Sequence, residues 1–404
     1  MPLTETLRPA IRYAAEGYPL TPVLGKFWKA AYDNFKVSFT GEAYRAWFDT
    51  FAPQGRAPEI GELWSSPGHA ATLKEIAATD ARAFYAGAIA EKIAACMKRH
   101  GGFLAGEDLA AYRPEWVEPF STNYRGYDVW ELPPNGQGAV VLMALNIFRR
   151  LAEPKWQSAE TLHDQLEAMK CAFTDGKALI TEPEDMPVKI ERLLSGEYAD
   201  RRARSIGTEA ADPVPCALPK GGTVYLAAAD EEGRMVSYIQ SNYMGFGSGI
   251  VIPGTGISLQ NRGADFSLDP RHPNVLRGGK RTYHTIIPGF LTKDGSAVGP
   301  FGVMGGYMQP QGHFQVVTNT VDFQLNPQAA LDVPRWQWVG GKTVLVEADF
   351  PNHLVEALLR KGHRIQVTAE SGSFGRGQII WRHPETGVLS GGTESRTDGT
   401  VAVW

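Results

Sequence analysis

Cysteine is scarce in this chain, with only Cys96, Cys171 and Cys216 among 404 residues. They are too few and too far apart for a disulfide framework or a four-ligand zinc site, and they read as packing residues. An excess of one charge is lacking as well: 40 basic residues stand against 44 acidic ones, a net charge of −4. No long-range field follows, so nothing directs the chain to nucleic acid or to an anionic membrane. No apolar run approaches the roughly 18 residues of a membrane span. The opening "MPLTETLRPAIRYAAEGYPLTP" has neither the basic start nor the apolar middle of a secretory leader. Instead Leu3, Leu7, Ala10, Ile11 and Ala14 recur at helical spacing.

Several catalytic signatures are missing too. "NVLRGGKRT" carries Asn274 where a phosphate-binding loop needs its first glycine, and Arg281 after the lysine. The glycines of "GFGSGIVIPGTG" lack the dinucleotide-binding spacing and open no helix. Ser248 has Phe246 two places before it, so there is no nucleophile elbow. The nine histidines form no H-x-x-x-H or H-E-x-x-H pair, which leaves metal catalysis without a visible ligand set.

What is present is an ordinary globular composition, 43% apolar and 21% charged. The first 200 residues or so are mostly of helical period. The spacing predicts helices over 3–16, 24–35, 41–51, 70–78 and 81–99, the last capped by Asp80 and stopped at Gly101-Gly102. A strand pair over 118–132 turning at Arg125-Gly126 comes next, then helices beginning at Gly138 and Ala159. After Pro213 the texture changes to strands and glycine turns, with hairpins at Glu231-Glu232-Gly233 and Lys293-Asp294-Gly295. "GHFQVVTNTVDF" and "PQAALDVPRW" read as helical, as does 351–361, while "TVLVEA", "RIQVTA" and "GQIIWR" read as strands. Helices outside and strands inside, on both sides of a proline-rich linker, predict one layered unit of helices and sheets built from two segments.

The linker ends abruptly in "KGGTVYLAAAD", placing Thr223 at the first residue of a strand. A threonine hydroxyl is a weak nucleophile without a base beside it, and one solution is a terminal threonine whose own amine is that base. A free α-amine titrates at about 7.7 to 8.0, whereas an amide nitrogen accepts no proton. Cleavage before Thr223 would create the base, and Gly222 leaves its carbonyl open to attack by the hydroxyl. Taken alone, Gly-Gly-Thr is more often an ordinary strand start.

The residues that follow weigh against that plainer reading. "TVYLAAADEEGRMVSYIQSNYMGFGSGIVIPGTGISLQNRGADFSLDP", then "GKRTYHTIIPGFL", "FGVMGGYMQPQGHFQV" and "RTDGTVAVW", resemble the gamma-glutamyltranspeptidase family of N-terminal nucleophile hydrolases. Upstream, "LRPAIRYAAEGYPLTP", "LPPNGQGAVVLMALNI" and "EAMKCAFTDGKALI" are similar to the family's large-chain helices. The resemblance implies an α+β fold, the four-layer αββα sandwich of the N-terminal nucleophile hydrolases. It also implies a proenzyme that cuts itself between Gly222 and Thr223. Residues 1–222 would form the large-chain portion and 223–404 the small chain, both within one αββα unit.

Carried over residue by residue, the resemblance makes Thr223 the nucleophile, Ser241 its hydrogen-bonded hydroxyl partner, and Gly305 and Gly306 the oxyanion hole. Asp265 stands at the position that binds the substrate α-ammonium. Tyr243 and Arg262 replace an asparagine and a glutamine of the best-known members, and His284-Thr285 replace paired serines. The implied activity is that of a gamma-glutamyltransferase or glutathione hydrolase-like amidohydrolase working through an acyl-enzyme. The replacements open an alternative, a hydrolase of a small non-glutamyl amide such as oxamate, with Arg262 and His284 binding a small carboxylate. Read singly, His284 is a plain strand histidine and Arg262 a solvated loop cation.

The family normally carries a segment before "LRPAIRYA" that supplies strands and a carboxylate-binding arginine, so a truncated, inactive member is a further alternative. No metal or organic cofactor is implied. The expected partners are a small-molecule amide or γ-glutamyl substrate, the two processed chains for each other, and a second copy in a homodimer, but no nucleic acid and no membrane. Without a leader the default compartment is the cytoplasm, with the periplasm or exterior as the alternative if the start is truncated.

Overall fold

The computed structural model describes residues 1–213 and 222–404. Cys216 and most of the linker before Thr223 lie outside the described residues. The chain divides into two compact units, Met1–Trp116 with Gly245–Asn261, and Val117–Met244 with Arg262–Trp404. Each unit draws on residues from both sides of the linker. No helix among the described residues is long and apolar enough to cross a membrane.

The first unit holds helices α1 (Leu3–Thr6), α2 (Arg8–Glu16), α3 (Pro22–Ser38), α4 (Arg45–Phe51), α5 (Pro67–Ala78), α6 (Arg82–Ala86), α7 (Ala88–Arg99) and α8 (Gly106–Ala111). A short ladder joins β1 (Tyr18–Pro19) to β2 (Leu63–Trp64). Two predicted helices are each split. Pro9 ends the first turn and restarts the chain as α2, where a proline is tolerated in the opening turn. The predicted helix over 81–99 breaks at Gly87, and Asp80 does not cap it. Asp80 and Ala81 both take left-handed φ, 50° and 65°, with Ala81 preceding α6 and Gly87 preceding α7. The glycine-rich run 245–261 completes this unit's core. Phe246 meets Trp28 and Trp47 edge-to-face at 5.2 Å, and a Cβ at Gly249 would lie 2.1 Å from the Phe39 ring.

The second unit is built on a six-stranded sheet of β3 (Phe120–Tyr124), β4 (Tyr127–Glu131), β7 (Gly289–Lys293), β8 (Ser296–Met304), β12 (Arg376–Arg382) and β13 (Leu389–Thr393), in the order β13-β12-β8-β7-β4-β3. A hairpin, β5 (Gly222–Ala229) and β6 (Met235–Tyr243), packs against β8 and β12. A third sheet, β11-β10-β9, comprises β9 (Trp336–Gly340), β10 (Thr343–Glu347) and β11 (Arg364–Thr368). The helices here are α9 (Gly138–Phe148), α10 (Ala159–Leu179), α11 (Ile190–Leu193), α12 (Gly196–Arg204), α13 (Gln309–Val321), α14 (Pro327–Asp332) and α15 (Asn352–Arg360).

Alternation along β8 separates the two faces of the central sheet. Phe301 packs against the tilted ring of His313 of α13 at 5.0 Å, and a Cβ at Gly312 would press on Val303 at 2.5 Å. Gly302, between them, faces the other way: a Cβ there would lie 2.4 Å from the Tyr225 ring of β5. Helices therefore cover one face and the β5–β6 hairpin the other. The apolar run of α9, broken only by Asn146, makes it a core helix, and every residue from Gly138 to Phe148 is buried.

Candidate active site

β5 starts at Gly222, and its first residues pair with the end of β6, Gly222 opposite Tyr243 and Thr223 opposite Ser241. The register shifts between Gly222 and Thr223, and Tyr243 takes φ 75°, a strained conformation for a bulky residue. This distortion gathers three groups on one hydroxyl, that of Ser241. Ser241 Oγ accepts from Thr223 Oγ1 at 2.9 Å and from the Tyr243 N–H at 2.8 Å, and donates to the Gly222 carbonyl at 2.8 Å. One side chain thus engages both the candidate nucleophile and the carbonyl of the bond expected to break. Thr223 is buried on the same face of β5 as Tyr225, the face turned toward β8.

β8 runs directly into Gly305 and Gly306, whose φ values of 138° and 60° suit glycine. A Cβ on Gly305 would also approach the Gly375 backbone to 3.1 Å. The pair opens a single 3-10 turn, Gly306–Met308, and then α13, so its backbone N–H groups stand at a helix start, where donors lack intrahelical acceptors.

The predicted recognition residues converge on Asp265. Tyr243 Oη donates to Asp265 Oδ1 at 2.9 Å, and Tyr307 Oη donates to the same oxygen. Arg262 Nη1 approaches Oδ2 at 3.4 Å, bonds Thr285 Oγ1 at 2.6 Å, and lays its guanidinium over the Tyr243 ring at 3.9 Å. Burial and then the Asp265 charge raise the pKa of both tyrosines, so each hydroxyl stays a donor. Arg262 is only 5% exposed, so the reading of it as a solvated loop cation fails. His284 lies in the neighbouring segment, its Nδ1 accepting from Ile286 N at 3.2 Å. Burial, and secondarily Arg262, lower its pKa to about 3, so it serves as a neutral ring and not as a cation for a carboxylate.

Three members of the cluster carried no signal of their own in the sequence. Tyr307 follows the glycine pair directly. Lys177, from α10, donates to Tyr307 Oη at 2.5 Å, lies 4.0 Å from Asp265, and sits 4.4 Å from the ring centres of Tyr283 and Tyr307. Asn274 fixes the frame: its Nδ2 donates to the Asp265 carbonyl at 2.8 Å, and its Oδ1 accepts the Tyr283 N–H at 3.0 Å.

A separate buried group brings together His163, Glu167 and His363, with ligand atoms within 4.8 Å of one another. Sequence spacing could not show it, since the histidines are 200 residues apart. The donor set suits a cation in number but already holds one. Lys170 Nζ donates to Glu167 Oε1 at 2.7 Å and to the Ala211 carbonyl at 3.1 Å, and stands 3.5 Å from His363 Nδ1. His163 and His363 bond each other at 2.9 Å. A metal ion would have to displace an ammonium that these groups already satisfy.

A model of the gamma-glutamyltranspeptidase family matches residues 1–404, and the chain belongs to that family. Among its relatives, the glutathione hydrolase-like YwrD proenzyme of Bacillus subtilis is 35% identical over 410 residues, covering 99% of this chain and 76% of that protein. The oxamate amidohydrolase proenzyme of Klebsiella pneumoniae is 33% identical over 408 residues, covering 100% and 76%. Among solved structures, the cephalosporin acylase from Bacillus halodurans superposes with a TM-score of 0.97 at 62% identity, over 100% of this chain and 75% of that one. These relatives are hydrolases and acylases by name, and two of them are proenzymes.

Proposed function

We propose that this chain is a self-cleaving amidohydrolase with an N-terminal threonine nucleophile, whose acyl donor carries a carboxylate instead of the α-amino acid head of γ-glutamyl compounds. The observation that carries the reading of the donor is the state of Asp265. Two tyrosine hydroxyls and Arg262 already take up its oxygens, and Lys177 stands 4.0 Å away. A substrate ammonium would compete with these donors and face two cations; like charges at about 4 Å repel by about 4 kcal/mol at an effective dielectric of 20. A carboxylate would meet a cluster whose two cations outnumber its one anion. The oxamate amidohydrolase among the relatives points the same way.

In the first reaction Thr223 Oγ1 attacks the Gly222 carbonyl carbon. The C–O bond forms, the C–N bond breaks, and the hydroxyl proton ends on the Thr223 nitrogen. Ser241, donating to the Gly222 oxygen, stabilises the charge that develops there. Water then hydrolyses the ester, leaving a Gly222 carboxylate and a free Thr223 amine. In turnover that amine takes the Thr223 hydroxyl proton as the oxygen attacks the substrate amide, and passes it to the departing amine. The Gly305 and Gly306 amides hold the oxyanion, and water releases the acyl group.

With this chemistry goes the four-layer αββα architecture, the β5–β6 hairpin belonging to its second sheet. The two products would stay together, because β4 of the first segment pairs with β7 of the second.

Thr223→Ala tests the nucleophile. The unaltered chain is expected to give two fragments, and the variant to remain at 44.1 kDa by intact mass. Cleavage at the same bond in the variant would sink the reading. For the donor, glutaryl 4-nitroanilide and oxamate are compared with γ-glutamyl 4-nitroanilide. A clear preference for the γ-glutamyl compound would refute the carboxylate donor while leaving the nucleophile intact.

A further inference from the structure

The turn between β4 and α9, "PPNGQG", carries a glutamine to which neither the resemblance nor the proposed chemistry gives a role. Gln137 is fully buried, at 0% exposure. Its Nε2 has two hydrogens and meets two main-chain carbonyls, Thr285 O at 2.7 Å and Gly306 O at 3.0 Å. Its Oε1 accepts the Tyr283 hydroxyl at 3.2 Å. The backbone around it is laced to the same segment, 282–285: Gln137 N donates to His284 O, and His284 N to Asn135 O, both at 2.9 Å. The amide is thereby fixed on one side to the recognition segment 282–285, which holds Arg262 through Thr285, and on the other to the glycine turn that opens α13.

We propose that Gln137 is a positioning residue that sets the glycine turn at Gly305-Gly306 in register with the recognition segment at His284-Thr285. Gly306 adopts φ 60°, where glycine has no Cβ to restrict it. A hydrogen bond to its carbonyl fixes the orientation of the peptide leading into Tyr307. The same amide holds Thr285, so both halves of the site take their position from one rigid group. A primary amide suits this role, because it supplies two donors and one acceptor in a plane. A carboxylate in its place would set negative charge against two carbonyl oxygens.

The inference rests on the proposed N-terminal threonine chemistry, and it separates that chemistry into two parts. Self-cleavage uses the Ser241–Gly222 contact within the β5–β6 hairpin, which Gln137 does not touch. Turnover uses the glycine turn. Gln137→Met should therefore yield two fragments at a rate within about threefold of the unaltered chain, while losing about tenfold to a hundredfold in kcat on glutaryl 4-nitroanilide. A second probe, 4-nitrophenyl acetate, needs only the nucleophile and the oxyanion turn. Acetylation of the small chain, followed by intact mass, should slow by a similar factor.

Gln137→Glu provides a readout that packing alone would not move. Its activity should recover as the pH falls, when the protonated acid can donate one hydrogen bond, and neither the unaltered chain nor Gln137→Met should show that recovery. Should Gln137→Met fail to fold, Gln137→Glu carries the test by its pH profile. Acetylation by Gln137→Met at the unaltered rate would overturn the inference, as would a pH profile of Gln137→Glu parallel to that of the unaltered protein. If Thr223→Ala is acetylated as fast as the unaltered chain, the nucleophile reading itself has failed. If Thr223→Ala is inert and Gln137→Met is normal, only the role of Gln137 has failed.

Discussion

Replacing Ser241 with alanine should stall the chain before it becomes an enzyme. The hydroxyl makes three contacts of 2.8 to 2.9 Å, and the removal of each has a separate consequence. Loss of the donor to Gly222 O removes a group aimed at developing negative charge, worth roughly 3 to 4 kcal/mol, or a factor of about 100 to 1,000 in rate. Loss of the acceptor leaves the Tyr243 N–H unpaired in a buried strand, a cost of about 1 to 3 kcal/mol in stability. Loss of the Thr223 contact frees the nucleophile to rotate away from the carbonyl. The expected Ser241→Ala protein folds, with a lower unfolding midpoint, and is cut about 100-fold or more slowly, whereas Ser241→Thr keeps the hydroxyl and most of the rate. Pulse-labelled synthesis in a cell-free system, followed by a denaturing gel, gives the cleavage rate from the uncut chain. If Ser241→Ala is cut within about threefold of the unaltered rate while Thr223→Ala stays whole, the assignment of the Gly222 carbonyl to Ser241 is wrong.

Tyr307→Phe removes one of the two hydroxyls on Asp265 Oδ1 and the acceptor of Lys177. Hydrogen bonds to charged groups contribute about 1.5 to 3 kcal/mol, so the ratio of γ-glutamyl to glutaryl turnover should rise about tenfold or more. An unchanged ratio would count against Asp265 as the discriminating group. For His363, whose pKa is lowered to about 3 by burial and then by Lys170, the sign follows from proton uptake. Between about pH 6.5 and 3 the unfolded chain binds a proton that the folded one does not, so the stability present above 6.5 falls as the pH drops through this window, by up to about 1.4 kcal/mol per pH unit. His363→Asn should flatten the decline in urea midpoint between pH 6.5 and 5. An equally steep decline in the variant would show that His363 is not buried neutral.

Hairpins were legible because their turns are chemically marked: Glu231-Glu232-Gly233 and Lys293-Asp294-Gly295 fall where glycine supplies left-handed φ, 82° at Gly233 and 75° at Gly295. The long helices α9 and α10 were legible from their apolar content and period. Hidden from the sequence was β9, because "PQAALDVPRW" starts as a helix, is broken at Pro334, and resumes as a strand at Trp336. β13 was hidden by the glycines of "LSGGT", which are poor strand formers. In the site, Thr223, Ser241 and the glycine pair could be named by resemblance, whereas Lys177, Asn274 and Gln137 could not. Their roles rest on contacts across large separations, such as the 169 residues between Gln137 and Gly306. In the sequence Asn274 is only a mismatch to a phosphate loop, yet it ties the backbone of Asp265 to that of Tyr283.

A hydroxyl has one proton to give, and in the uncut chain Ser241 gives its proton to Gly222. While that bond stands, the Thr223 nitrogen is an amide without basicity and the serine is committed to the chain's own carbonyl. On the proposed chemistry, latency and activation would be properties of a single contact: the arrangement that holds the uncut chain latent would also be the one that cuts it. On this chemistry no separate inhibitor or activating protease is needed, and the onset of activity would be timed by how fast the hairpin folds around one serine.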